Sequence, residues 1–159
     1  MKTIDYVAML GFAKQINEQQ ACLAEDVAEK LVALGYGVGV GNLSGVFDHA
    51  LQSAKASGGT TMGVIEKDLY KQKHQDCDIL LVVSSQESKH QVLATRCIGG
   101  IVIGGGPGTL KLIRHFLDRD KRIVAIDGSG GVVPSELAER VILSHSVDHA
   151  LAVLTVADN

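Results

Sequence analysis

The chain has 159 residues, of which 46% are hydrophobic and 21% charged, so we expect a single globular domain spanning residues 1–159. A net charge of −3 and an aromatic content of 4% without Trp exclude the basic patch and stacking surfaces typical of nucleic-acid binding. The chain has no signal-peptide pattern and no apolar run of the ~20 residues a membrane span needs. Its three scattered cysteines are typical of reduced thiols, and together these features predict a cytoplasmic protein without nucleic-acid or membrane partners.

Short apolar strands alternate with amphipathic helices along the whole chain. Seven strands are predicted: Asp5–Gly11, Val38–Gly41, Thr60–Ile65, Asp78–Ser84, Ile98–Ile103, Arg122–Ile126 and a short Val141–Leu143. Five helices are predicted: one capped near Asn17 and ending near Leu34, then Val46–Ser57, Gln86–Arg96, Thr109–Asp118 and Val147–Val153. Strands that are apolar throughout are buried on both faces, so the pattern predicts an α/β fold: a doubly wound, mostly parallel, Rossmann-like sheet of six or seven strands with helices on both faces.

The strongest functional signal is the segment Ile101–Thr109, which reads IVIGGGPGT. A buried strand, a glycine-rich turn and a helix start leave backbone N–H groups unpaired where the helix dipole is positive, and this arrangement suits a phosphate. Thr109 is predicted to be the helix N-cap and a hydroxyl donor to the ligand. The turn is not a Walker A loop, because no Gly-Lys-Ser/Thr follows. The predicted ligand-binding residues of this turn are Gly104, Gly105, Gly106, Pro107, Gly108 and Thr109.

A second glycine-rich turn follows the second strand, where Gly41, Asn42, Ser44 and Gly45 are predicted to form the opposite wall of the binding site. A purely structural role in packing is the alternative for this turn, because its GxGxxxG pattern is only close to a dinucleotide fingerprint.

Two charged residues extend the predicted site. Asp127, in the DGSGG segment at the tip of strand six, is predicted to accept a hydrogen bond from a ribose or a base, with an ordinary loop as the alternative. Lys89 follows strand four and is predicted to lie near the site mouth beside His90, with a surface position as the alternative.

The histidines predict no metal site. His145 and His149 are four residues apart, as helical metal ligands are, but no third ligand is evident, so we expect a solvated face. His49 and His115 are expected on the surface. No Ser-His-Asp or Cys-His spacing is present, so the sequence identifies no catalytic residue and no cofactor.

At these residues the chain resembles the Lonely Guy and "lysine decarboxylase-like" group of nucleotide-binding Rossmann-type proteins, which carry the motif PGGxGTxxE. The resemblance spans nearly the whole chain and rests on LVALGYGVGVGN, ALQSAKASGGTTMGVI and IVIGGGPGT. It implies a homodimer or higher homo-oligomer and a small phosphorylated ligand. Lonely Guy members release the base from a nucleoside 5′-monophosphate, whereas other relatives are carriers of the molybdenum cofactor, whose pterin bears a phosphate.

The chain departs from the family motif at the residues that the resemblance marks as catalytic. Gly104 stands at the family's Pro, Leu112 at its closing Glu, and Lys89-His90 at its Arg-Lys pair. Because a leucine cannot stabilise charge on the sugar, we expect a protein that binds a nucleotide or a pterin-like ligand without phosphoribohydrolase activity. The alternative is a phosphoribohydrolase that uses Glu87 or Asp127 as its acid.

The amphipathic helix after the glycine turn offers a separate indication of a homodimer. Its apolar residues Leu110, Ile113 and Leu117 form a face that we expect to exceed what one sheet covers.

Overall fold

The computed structural model describes residues 3–70, 75–130, 137 and 139–156, which form one seven-stranded sheet with five α-helices. The strands are β1 (Tyr6–Gly11), β2 (Gly37–Val40), β3 (Thr61–Glu66), β4 (Ile79–Val83), β5 (Cys97–Ile103), β6 (Arg122–Ile126) and β7 (Ile142–Ser144). The helices are α1 (Glu18–Ala33), α2 (Val46–Ala56), α3 (Gln86–Arg96), α4 (Pro107–Leu117) and α5 (Val147–Thr155), with a short 3₁₀ helix at Lys67–Leu69.

The sheet is parallel throughout, with the strand order β4-β3-β2-β1-β5-β6-β7, which confirms the predicted doubly wound fold. The strand order reverses between β1 and β5, because β2, β3 and β4 extend the sheet on one side of β1, whereas β5, β6 and β7 extend it on the other side. In open parallel sheets, ligands bind beyond the carboxyl ends of the strands at such a reversal. The fold therefore brings the glycine turn after β5 next to the segments that follow β1 and β2.

Two apolar layers hold the helices to the sheet. One contains Val27 of α1, Phe47 of α2 and Leu151 of α5, and the other contains Leu93 of α3 and Phe116 of α4. Helices α1, α2 and α5 therefore cover one face, and α3 and α4 cover the other.

Two side-chain hydrogen bonds explain why α1 begins where the sequence predicts. Asn17 accepts a hydrogen bond from the Gln20 backbone at 2.8 Å, and the Gln20 side chain accepts one from the Asn17 backbone at 3.0 Å. This capping box satisfies two N–H groups at the helix start. The helix ends at Ala33, followed by Gly35 at a φ of +90°, so both predicted ends are confirmed.

Two expectations about burial are wrong. Strand β4 was expected to be buried on both faces, but it is an edge strand, with Ile79 42% and Val82 45% exposed. The apolar face of α4 was expected to exceed what one sheet covers, but Ile113 and Leu117 are 1% and 6% exposed within the single chain, and Leu110 is half-buried against the same core. The sheet of the same chain covers this face, so it gives no reason to infer a dimer.

The start of α4 also differs from the prediction. Gly106 is the N-cap and Pro107 is the first helical residue, so Thr109 lies within the first turn and is not the cap. Proline suits this position because the missing N–H would have had no helical partner.

None of the helices in the described ranges combines the length and apolarity that crossing a lipid bilayer requires. Gly131, the last residue of the DGSGG segment, lies outside the described residues.

Candidate functional site

The turn between β5 and α4 is the common wall of two cavities. Cavity A, of about 400 Å³, lies between this turn and the segment after β6. Cavity B, of about 260 Å³, lies between this turn, the segments after β1 and β2, and the start of α3. Gly106 and Thr109 line both cavities.

The backbone N–H groups of this turn are available to a ligand, with one exception. The N–H of Gly104 donates to Ser129 Oγ at 3.0 Å, so this amide is used by the fold itself. The first helical hydrogen bond is from the Leu110 N–H to the Gly106 carbonyl. Among the residues that the structure describes, no acceptor pairs with the four amide groups of Gly105, Gly106, Gly108 and Thr109. Four donors at the positive end of a helix dipole form an anion-binding arrangement.

The fold requires glycine at only part of the turn. Gly104 has a φ of +71°, and a Cβ there would lie 2.4 Å from Cδ2 of the Phe12 ring. In contrast, a Cβ at Gly106 would meet no heavy atom within 4 Å, and one at Gly108 would meet only Gln86 Nε2 at 3.6 Å. The glycines at 106 and 108 are therefore not explained by packing, and they leave open the space beside the unpaired amides.

The turn after β2 supplies the opposite wall of cavity B through Gly41 and Asn42. Asn42 Oδ1 accepts hydrogen bonds from the Leu43 N–H at 2.7 Å and the Ser44 hydroxyl at 3.1 Å. The carboxamide oxygen therefore orders its own turn, while the carboxamide nitrogen can donate to a ligand.

Ser44 and Gly45 lie elsewhere, in a separate hollow that they share with Asp48 and Asp76. Gly45 has a φ of +64°, and a Cβ there would lie 2.4 Å from the Phe12 carbonyl oxygen. This close approach favours the packing role for the second half of the turn.

Lys89 lines cavity B, with its Nζ 2.9 Å from Glu66 Oε1. Its side chain is 10% exposed, so the surface alternative is wrong for this residue. Leu112 lines the same cavity and gives it an apolar wall.

Asp127 lines cavity A, with Oδ2 3.0 Å from His145 Nδ1. His145 precedes the Ser146 N-cap of α5, while Nδ1 of His149 lies 2.8 Å from Ser144 Oγ. Both histidines are exposed, which confirms the expected solvated position, and only His149 lies within the helix.

His90 lies in the wall of cavity B and is 3% exposed, so it is not a surface residue. Burial, with smaller contributions from the charges of Lys89 and His115, lowers the pKa of His90 from 6.5 to about 4. Its imidazole is therefore neutral at neutral pH.

Two of the three cysteines are poor nucleophiles. Burial raises the pKa of Cys77 to about 11 and that of Cys97 to about 12, so both are thiols at neutral pH. Only a thiolate attacks efficiently.

Two side chains that the sequence does not single out, Ser129 and Gln20, hold the glycine turn in place. Ser129 Oγ accepts from Gly104 and donates to the Ile126 carbonyl at 2.6 Å, and the Ser129 carbonyl accepts from Gln20 Nε2 at 2.7 Å. The chain thus ties α1, β6 and the turn after β5 together through buried groups. Only the small residues of the DGSGG segment gave a signal, and they do not reveal that Ser129 faces inward.

Solved structures similar to this chain include the molybdenum cofactor carrier protein from Chlamydomonas reinhardtii (24% identity, 95% of this chain and 96% of that chain covered, TM-score 0.81). The molybdenum cofactor binding protein from Rippkaea orientalis matches at 19% identity over 96% of both chains (TM-score 0.81). DNA processing protein A from Streptococcus pneumoniae matches at 20% identity over 97% of this chain and 63% of that chain (TM-score 0.75). At these identities the likeness shows the fold alone.

No curated protein matches the sequence. The sequence model of the SLOG cluster4 family, in contrast, matches residues 5–157, which is nearly the whole chain. Together with the structural neighbours, this match confirms the predicted resemblance to the Lonely Guy and molybdenum-cofactor-carrier-like group. The chain therefore belongs to the SLOG cluster4 family.

Proposed function

We propose that this protein binds a small phosphorylated ligand, a nucleotide or a pterin-like molecule, and does not hydrolyse it. The observation that carries the proposal is the group of four backbone amides at Gly105, Gly106, Gly108 and Thr109, which lack acceptors among the described residues and border two cavities. Two structural neighbours whose names refer to the molybdenum cofactor support the pterin-like class of ligand.

The phosphate is proposed to bind at these amides and the organic part to extend into cavity A. Its volume of about 400 Å³ lies within the ~300–1,000 Å³ typical of small-molecule sites, whereas cavity B is smaller than this range. Asp127 in cavity A can accept a hydrogen bond from a ribose hydroxyl or a pterin N–H. On the other side, Lys89 and the Asn42 carboxamide nitrogen lie where they would favour the negative charge of the phosphate.

The arrangement of acidic groups favours binding over hydrolysis. Glu87 lines neither cavity, and its carboxylate lies 3.2 Å from His115 Nε2, where α3 packs against α4. Asp127 contacts His145, and Leu112 offers no charge where the resemblance places the catalytic Glu. Of these two carboxylates, Asp127 alone borders a cavity, so a phosphoribohydrolase would have to use Asp127 beside the glycosidic bond.

Titration calorimetry with paired ligands tests the proposal. AMP, GMP, cyclic nucleotides and molybdopterin are compared with adenosine and guanosine, which lack the phosphate. We expect binding only of phosphorylated ligands, and a variant with Gly108→Asp is expected to lose it. A carboxylate in the first turn suits the helix dipole, so this variant keeps the fold while competing with the phosphate.

Gly108→Asn is the matched control, because it adds similar volume without the charge. It is expected to weaken binding much less than Gly108→Asp. If no phosphorylated ligand binds the wild-type protein, or if Gly108→Asp binds as well as Gly108→Asn, the proposal is wrong. Release of adenine from AMP that is lost in an Asp127→Asn variant would instead establish the phosphoribohydrolase alternative.

The cellular setting and assembly belong to the same proposal. We propose a cytoplasmic homodimer or higher homo-oligomer that has no nucleic-acid partner. Light scattering coupled to size exclusion tests the assembly. Titration with a single-stranded oligonucleotide tests whether the protein binds nucleic acid, because DNA processing protein A has a similar fold. The net charge of −3 predicts no binding.

A further inference from the structure

Three metal-ligating side chains meet where α3 packs against α4. Glu87 and His90 are three residues apart on α3, so they lie on the same side of that helix, and His115 approaches them from α4. One ligand atom from each of the three lies within 4.8 Å of the others. His115 Nε2 and Glu87 Oε1 are already 3.2 Å apart, close to the ~3.4 Å between two ligands of a tetrahedral metal ion with bonds of ~2.1 Å.

The His90 ring is the independent observation that points to a ligand. It is 3% exposed, and it has no hydrogen-bond partner in the part of the chain that the structure describes. The ring lines cavity B, and its centroid lies 5.7 Å from that of the His115 ring at an angle of 58°. Because no fully buried side-chain nitrogen or oxygen of the described residues lacks a partner, the ring nitrogens of His90 must reach the open space of cavity B, where a metal ion can bind them.

We propose that Glu87, His90 and His115 bind a divalent first-row transition metal ion at the edge of cavity B. Two imidazoles and one carboxylate are the protein ligands of several zinc centres and of non-haem iron sites, and both keep positions open for water or substrate. Mg²⁺ and Ca²⁺ prefer oxygen ligands only and are not expected to bind. This site is distinct from the amides of the glycine turn, so it does not depend on the proposed phosphate binding.

The contacts of His115 define what must change when the metal binds. Arg119 Nη1 lies 3.3 Å from His115 Nδ1 and donates to the His115 carbonyl at 2.9 Å. Coordination of the metal through His115 Nε2 needs the neutral ring with its proton on Nδ1. A protonated Nδ1 cannot accept a hydrogen bond from Arg119, so the 3.3 Å contact would be lost. The bond to the carbonyl remains and keeps Arg119 beside the helix.

The test is titration of the metal-free protein with Zn²⁺ alone, without any phosphorylated ligand, and with Mg²⁺ in parallel. The variants are Glu87→Gln and His115→Ala, whose side chains are 64% and 19% exposed, so the fold should tolerate both. We expect one Zn²⁺ per chain and a loss of affinity of more than about 10-fold in each variant. Co²⁺ in place of Zn²⁺ should give visible absorption bands typical of a site with nitrogen and oxygen ligands.

His49→Ala is the matched control, because His49 Nδ1 lies 3.0 Å from Glu25 Oε1 in an exposed pair to which no other described residue adds a third ligand. It should leave Zn²⁺ affinity unchanged. Failure of the wild-type protein to bind Zn²⁺ stoichiometrically, or equal affinity in wild type, Glu87→Gln and His115→Ala, would overturn the proposed site.

Discussion

Replacing Gly104 by Ala is the substitution whose cost follows most directly from the geometry of the binding turn. The φ of +71° is unfavourable for any residue with a Cβ, by about 1–2 kcal/mol. The new methyl would also lie 2.4 Å from a carbon of the Phe12 ring, and such overpacking costs about 1–3 kcal/mol. We therefore expect the free energy of unfolding to fall by about 3 kcal/mol, which corresponds to about 6–12 °C in Tm for a chain of this size.

Urea unfolding followed by circular dichroism measures this change, and two other glycines separate its causes. Gly128 has a φ of +78° but no atom within 4 Å of an added Cβ, so Gly128→Ala isolates the backbone strain at about 1 kcal/mol. Gly106 has neither a positive φ nor a close neighbour, so Gly106→Ala should be nearly neutral. If Gly104→Ala is no more destabilising than Gly128→Ala, close contact with the Phe12 ring does not contribute to the cost.

Three further changes test other parts of the account. Ser129→Ala should cost about 1–3 kcal/mol in urea unfolding, because it leaves the buried Gly104 N–H without its acceptor and removes one of two hydrogen bonds to the Ile126 carbonyl. Ser53→Ala, which removes an exposed bond, should cost less than about 1 kcal/mol. Hydrogen bonds from Lys55 and from the Thr61 backbone amide lower the pKa of Asp78 below its usual 3.8, so the carboxylate stabilises the fold above that pH. Asp78→Asn should therefore have a lower free energy of unfolding than wild type at pH 7. This difference in the free energy of unfolding should vanish as the pH falls below 3.8. Lys89→Met should keep the packing near Glu66 but weaken AMP binding and reduce its salt dependence in calorimetry, whereas unchanged binding would exclude Lys89 from the site.

The sequence predicted the fold because local signals and topology agree. Alternation of apolar strands with amphipathic helices determines a parallel sheet, and Asn17 with Gln20 fixes the start of α1 through side-chain bonds that a sequence shows directly. The prediction of burial failed for β4 because an edge position depends on strand order, and the composition of a strand does not show it. Strands at an edge and at the centre can be equally rich in Ile, Leu and Val.

The sequence predicted only those parts of the candidate site that lie within one continuous segment of the chain. The glycine turn is one continuous segment, so its amides could be expected from the sequence. In contrast, Ser129 and Gln20 are hydrogen-bonded although they are 109 positions apart in the sequence. Glu87, His90 and His115 come together from two different helices, so their spacing in the sequence does not indicate the cluster. The four-residue spacing of His145 and His149 is that of one helix face, but His145 lies before α5 begins and only His149 is in the helix.

Binding of inorganic phosphate and AMP, followed at individual backbone amides by NMR, tests the central claim most directly. With ¹⁵N-labelled protein, the amide signals of Gly105, Gly106, Gly108 and Thr109 should shift as either ligand is added. The signal of Gly58, at the end of α2, should stay in place. If the four amide signals do not move when AMP binds, or if the shifts occur at another part of the sheet, the turn after β5 is not where phosphate binds.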